Sequence, residues 1–177
     1  MINTILLLGS STIKKWKNFT MNSQNDYIIN KGISSLTTHY LLNNEYIEYI
    51  DKNIITPNYI VFYCGINDVF DNVDNKEIIN NIRLFLEILQ QIFPKSKIIV
   101  ISLIKSPRVY KDKKIENVNY INNKLREYCL KFKSKMYYVN VNKELYTSNG
   151  MYFTKDNFHI NELGYKKINK KILESIK

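Results

Sequence analysis

The chain has 177 residues and a mass of 21.1 kDa, which suits one domain (1–177) able to bury most of the surface its unfolded form exposes. Hydrophobic residues at 45% and charged residues at 24% exclude a disordered or fibrous protein. A formal charge of +10 raises the question of an anionic polymer as partner, but the lysines are scattered and form no dense basic run, so no nucleic-acid partner is expected.

In chain order, the first apolar run is Thr4–Leu8, which reads as a strand. It is too short for a signal segment and lacks a basic flank. No later stretch reaches the length of a membrane span, so a cytoplasmic or otherwise intracellular protein is expected. The run ends in Gly9-Ser10-Ser11-Thr12, where a glycine permits a tight turn and places hydroxyls at a helix start. Capping that helix is an equally physical use of the serines.

Tyr27–Lys31 is a weaker strand, and Leu36–Lys52 an amphipathic helix that contains His39, one of two histidines. Among Thr37, Thr38 and Tyr40, His39 reads as a surface residue. Tyr59–Cys64 is the next strand and ends in Gly65-Ile66-Asn67-Asp68. An Asn at a strand's carboxyl edge is placed to donate to a developing oxyanion, or to make an Asx turn.

Lys76–Ile92 carries a stripe of Ile78, Ile82, Phe85, Leu86 and Leu89, and Pro94 closes that helix. Lys97–Ile104 is a strand, Glu116–Phe132 a helix and Met136–Val141 a strand. Just before a last helix, Glu162–Ile176, lies Asp156-Asn157-Phe158-His159. Three residues of spacing let a carboxylate reach the imidazole, fix its tautomer and stabilise it when protonated. A helix cap with an incidental histidine is the plainer use of the same residues.

Continuous apolar strands alternating with helices predict an α/β fold, a three-layer α/β/α sandwich on a five-stranded parallel sheet. Ligands of such sheets bind beyond the carboxyl ends of the strands. Cys64 and Cys129 sit in apolar stretches without metal-ligand spacing, so buried thiols are expected and no metal.

The blocks Gly9-Ser10-Ser11, Gly32, Gly65-Ile66-Asn67-Asp68 and Asp156-Asn157-Phe158-His159 occur in the order of the four blocks of the SGNH (GDSL-like) hydrolases, which the chain resembles over residues 4 to 165. Gly-Ser-Ser followed by Trp16, with Ile101-Ser102-Leu103 and Ser106-Pro107-Arg108, is similar to one subgroup of that family. The resemblance implies a flavodoxin-like fold and a serine esterase without cofactor. It makes Ser11 the nucleophile, His159 the base and Asp156 its orienting group, with an oxyanion hole from the amides of Ser11 and Gly32 and the side chain of Asn67. Ser34 and Ser35 stand where the family often has a second glycine.

The resulting expectation is a short-chain acylesterase acting on a small-molecule or glycan ester through an acyl-enzyme. A non-catalytic glycan- or protein-binding module on the same fold is the alternative. An FMN or nucleotide binder with Gly9–Thr12 around a phosphate leaves Asp156 and His159 without a role. The absent Gly-x-Ser-x-Gly elbow disfavours the mid-chain nucleophile of α/β-hydrolases.

Overall fold

A computed structural model describes residues 2–20, 26–51, 56–146 and 150–176. Five strands, β1 (Thr4–Gly9), β2 (Tyr27–Asn30), β3 (Tyr59–Tyr63), β4 (Lys97–Ile101) and β5 (Met136–Val139), form one sheet in the order β2-β1-β3-β4-β5. Every pair is parallel, and helices cover both faces. This is the α/β sandwich predicted from the alternation of strand and helix.

The reason lies in the strand sequences. Ile5 to Leu8, Ile60 to Phe62 and Ile98 to Val100 are buried without a polar interruption, as strands covered on both faces must be. Each such side chain contributes roughly 1.5–3 kcal/mol on leaving water. Against one face lies α4 (Asn75–Ile92), whose Ile78, Ile82, Phe85, Leu86 and Leu89 are all fully buried. It packs on α6 (Ile115–Lys131). Asp74 caps α4 by accepting from the amides of Lys76 and Glu77.

Two strand predictions overshoot by more than one residue, those for β4 and β5. Beyond Ile101 the chain stays buried but leaves the ladder: the Leu103 amide and carbonyl are bonded by the Asn122 side chain, at 2.7 and 2.9 Å. Beyond Val139 the Val141 amide donates to Ser102 Oγ. Side chains replace a neighbouring strand there.

The predicted helix Leu36–Lys52 forms only in its second half. Residues 36–39 are loop and turn, Tyr40–Leu42 is a 3-10 turn, and α2 runs Asn44–Asp51; Lys52 lies outside the described residues. The Asn43 side chain accepts from the Glu45 amide at 2.8 Å and starts α2 there. Before it, Leu36 and Thr38 bond to side chains from the end of β3.

Short helices complete the loops: α1 (Ser11–Lys14), α3 (Ile66–Phe70), α5 (Pro107–Lys111) and α7 (Asn142–Leu145). The last helix, α8 (Glu162–Ser175), returns beside α1: Tyr165 Oη donates to Thr12 O at 2.8 Å, and its ring lies 5.2 Å from Trp16. The two ends of the sequence are thereby packed together. Among the described residues, no helix is long and apolar enough to cross a membrane.

Candidate active site

The site lies at the carboxyl edge of the sheet, where β1 turns into α1. Gly9 has φ 140° and packs so closely on β3 that a Cβ would stand 1.9 Å from Tyr63 O. Only glycine makes that turn. The Ser10 amide then donates to Tyr63 O at 3.0 Å, while Ser10 Oγ is enclosed without a hydrogen-bond partner. Ser11 is the next residue and is 7% exposed.

Ser11 Oγ lies 3.2 Å from His159 Nε2, across 148 residues of sequence. On the other side of the ring, Nδ1 lies 2.6 Å from Asp156 Oδ2. With Nδ1–H donated to the carboxylate, Nε2 keeps a lone pair that faces the Ser11 hydroxyl.

The Asp156 turn is built to hold this geometry. The amides of Phe158 and His159 donate to Asp156 Oδ1, both at 2.9 Å, and Thr154 Oγ1 donates to the same oxygen at 2.6 Å. Burial works against the charge of Asp156, but the hydrogen bonds from His159, Thr154 and the two amides outweigh it and hold the carboxyl well below the usual range. An antiparallel bridge between Phe153 and Ile160 closes the base of the turn. Asn161 then caps α8 by accepting from the Gly164 amide at 3.0 Å.

Asn67 sits in the first turn of α3. Its Nδ2 donates to Leu36 O at 2.9 Å, which uses one amide hydrogen and leaves the second for another acceptor. The loop that supplies Leu36 O is tied down by Asp68, a side chain only 1% exposed. Its carboxylate accepts the Thr38 hydroxyl at 2.7 Å and the Thr38 amide at 2.9 Å.

Gly32, whose amide the family resemblance assigns to the oxyanion hole, lies in the turn after β2. Its amide donates to Asn30 Oδ1 at 2.9 Å, so the hydrogen is spent inside its own turn. Gly32 packs against α1, where a Cβ would meet Lys14 N at 2.3 Å. Asn30 has a second task, since its Nδ2 donates to Ile13 O at 2.8 Å at the end of α1. Of Ser34 and Ser35, Ser35 adopts φ 57°, a left-handed backbone that glycine takes more readily.

His39 is exposed and has no part in this constellation. Sequence reasoning gave no role to Thr38, Asp68 or Thr154. The adjacency of Asp68 to Asn67 and the two-residue step from Thr154 to Asp156 were the signals available. Among the described residues, no three His, Cys, Asp or Glu side chains are grouped so as to hold a metal ion.

The sequence of residues 12–167 matches the model of the GDSL-like Lipase/Acylhydrolase family. The chain belongs to that family. The family makes it a carboxylic ester hydrolase, and the match begins one residue after Ser11. No curated protein sequence matches the chain.

Solved structures share this fold. A lipolytic protein of the G-D-S-L family from Veillonella parvula superposes with a TM-score of 0.78 at 16% identity, covering 98% of this chain and 97% of its own. A carbohydrate esterase of family 3 from Talaromyces cellulolyticus gives 0.72 at 14% identity, covering 98% and 95%. An acetyl esterase S10A mutant with acetate ion gives 0.74 at 17% identity, again covering 98% and 95%. At these identities the likeness is one of fold.

Proposed function

We propose that this GDSL-like hydrolase acts as one catalytic unit that removes short acyl groups, acetyl foremost, from the hydroxyl of a small alcohol or sugar. Ser11 is the nucleophile. As its oxygen attacks the ester carbonyl, its proton passes to His159 Nε2, and Asp156 stabilises the imidazolium. His159 then gives the proton to the departing alkoxide, leaving an acyl group on Ser11. In the second half, a water gives its proton to His159 and attacks the acyl carbonyl, and Ser11 leaves with that proton.

Two donors serve the oxyanion in this reading: the Ser11 amide, which has no acceptor within α1, and the second Nδ2 hydrogen of Asn67. Such donors act where charge develops and are worth about 3–4 kcal/mol each in comparable sites. The observation that carries the reading is the unbroken line from Ser11 Oγ through His159 to Asp156, at 3.2 and 2.6 Å. The preference for short acyl groups is supported by likeness to an acetyl esterase and by the side chains of Ser34 and Ser35, which stand where the family often has a second glycine.

The test is a series of p-nitrophenyl esters from acetate to decanoate, run with wild type and Ser11→Ala, with fluorophosphonate labelling alongside. Turnover falling with chain length, lost on the order of a thousandfold or more in Ser11→Ala, and a single label on Ser11 are expected. A faster decanoate overturns the acyl preference. An unlabelled, inert wild type overturns the nucleophile and returns the chain to a binding module.

A further inference from the structure

Beside the Asp156 turn opens a cavity of about 890 Å³, bordered by Asp156 itself and by α5. That is room for a group the size of a sugar, far more than an acetyl needs. Its wall carries three cationic side chains, Lys105, Arg108 and Lys111, together with the half-exposed ring of Tyr110.

The two carboxylates in the same wall are already engaged. Asp112 accepts from Arg108 Nε at 3.3 Å, and Asp156 is committed to His159. Lys105 and Lys111 have no carboxylate within ion-pair distance among the described residues. Nor do the terminal nitrogens of Arg108 have a hydrogen-bond partner there. The wall thus presents unspent positive charge.

Arg108 is also held in place. Its backbone amide donates to Asn157 O at 3.0 Å, and its guanidinium lies 4.9 Å from the Phe70 ring and 5.3 Å from the Phe158 ring. Phe158 in turn meets the His159 ring edge-on at 5.1 Å. A cation fixed before binding loses little rotamer freedom on binding, and a guanidinium with open terminal nitrogens matches the paired oxygens of a carboxylate or phosphate.

We propose that this cavity receives an anionic group on the alcohol side of the ester, so that the preferred substrates are acyl esters of acidic alcohols, such as an acetylated uronic acid or an acetylated sugar phosphate. The inference rests on reading Ser11, His159 and Asp156 as an esterase site. An anion held here sits beside Asp156, the residue that holds His159, and binding energy remote from the reacting carbonyl then appears in the rate.

The test compares three matched acetyl esters, on methyl glucoside, methyl glucuronide and a hexose phosphate, by the ratio of kcat/KM for each acidic ester to the neutral one. Wild type should favour at least one acidic ester by about tenfold or more. The ratio should collapse toward one in Lys105→Gln/Lys111→Gln and in Arg108→Gln, and should shrink as salt rises from about 0.02 to 0.5 M. The carboxylate and phosphate arms show which anion the wall takes. A wild-type ratio near one, or a ratio that the substitutions leave alone, overturns the proposal.

A separate arm needs no turnover. Saturation-transfer NMR on Ser11→Ala should show the acidic sugars bound and the neutral one not, with the signal lost in the Lys105→Gln/Lys111→Gln background. Equal binding of both overturns the anion site whatever the chemistry. Failure of wild type to cleave p-nitrophenyl acetate counts against the esterase reading alone.

Discussion

Asp68 and Thr38, thirty residues apart, are joined by the Thr38 hydroxyl and amide both donating to the Asp68 carboxylate, at 2.7 and 2.9 Å, with neither side chain open to solvent. This pair ties the loop after β2 to the start of α3. Leu36, two residues from Thr38, accepts from Asn67 Nδ2, so the pair also sets where the Asn67 amide points.

Asp68→Asn should therefore cost both stability and rate. Asn can keep the acceptor at Oδ1 but puts an NH2 in place of Oδ2, against the Thr38 amide that Oδ2 accepts at 3.1 Å, and a loss of about 1–3 kcal/mol is expected from the unmatched buried group. Thr38→Val, which removes the hydroxyl's bond to Asp68 and the one it accepts from Asn81 Nδ2 at 3.4 Å but keeps the amide bond, should cost about 1–2 kcal/mol. Urea unfolding reads the first effect. The second is read in kcat, which should fall for Asp68→Asn while KM moves little; a fall in KM affinity with kcat intact would deny the link to Asn67.

Asp156→Asn should reduce kcat on the order of a thousandfold or more, because an amide no longer holds the imidazole in the tautomer that leaves Nε2 ready to accept. The same carboxyl has a pH signature. Its hydrogen bonds from His159, Thr154 and two amides keep it well below the usual range despite burial. A carboxyl depressed in this way adds stability above its unfolded pKa, near 4, and loses it as pH falls toward the folded value. The stability gap between wild type and Asp156→Asn should be full at neutral pH and close progressively below about pH 4. A gap that widens with acid contradicts the assigned hydrogen bonds.

The strands and the long helices α4, α6 and α8 were legible because burial writes itself into local composition: unbroken apolar runs for strands, a stripe such as Ile78, Ile82, Phe85 and Leu89 for helices. What failed was whatever depends on a side chain bonding the backbone of a distant segment. Leu36 lies on the helical face that Tyr46 and Ile50 share, and all three are buried, yet residues 36–39 are not helical because Asn67 and Asp68 claim them. The bond by which Asn30 holds the Gly32 amide, two residues on, is likewise not announced by local composition. The spacing of Asp156 and His159 was readable since the whole turn is local. The approach of Ser11 to His159 was not, because it depends on Tyr165 and Trp16 packing α8 against α1.

The two thiols should be silent in the native protein. Cys129 is pushed up to about 12 by burial, and burial also raises Cys64 well above the ordinary thiol range, with Asp68 adding to it. Thiolate is the reactive form, so neither should react with a disulfide reagent at neutral pH until denaturant is added, when both should. Prompt native labelling of Cys64 would mean that the β3 edge opens readily.

Ser35 offers the finest test of the loop beside Asn67. Its φ of 57° is left-handed, a conformation that costs an L-residue about 1–2 kcal/mol and glycine very little. Its side chain is exposed, so little packing is at stake. Ser35→Gly should relieve the strain while loosening the unfolded chain by a comparable amount, leaving stability within about 0.5 kcal/mol of wild type. Ser35→Val adds a branched Cβ to the same backbone and should lose about 2 kcal/mol or more, or force the loop to another shape. Because Leu36 O, one residue on, holds Asn67 Nδ2, the two variants should also part in rate, with kcat kept in Ser35→Gly and reduced in Ser35→Val. Equal behaviour of the pair would show that the left-handed turn at residue 35 does not hold Asn67 in place.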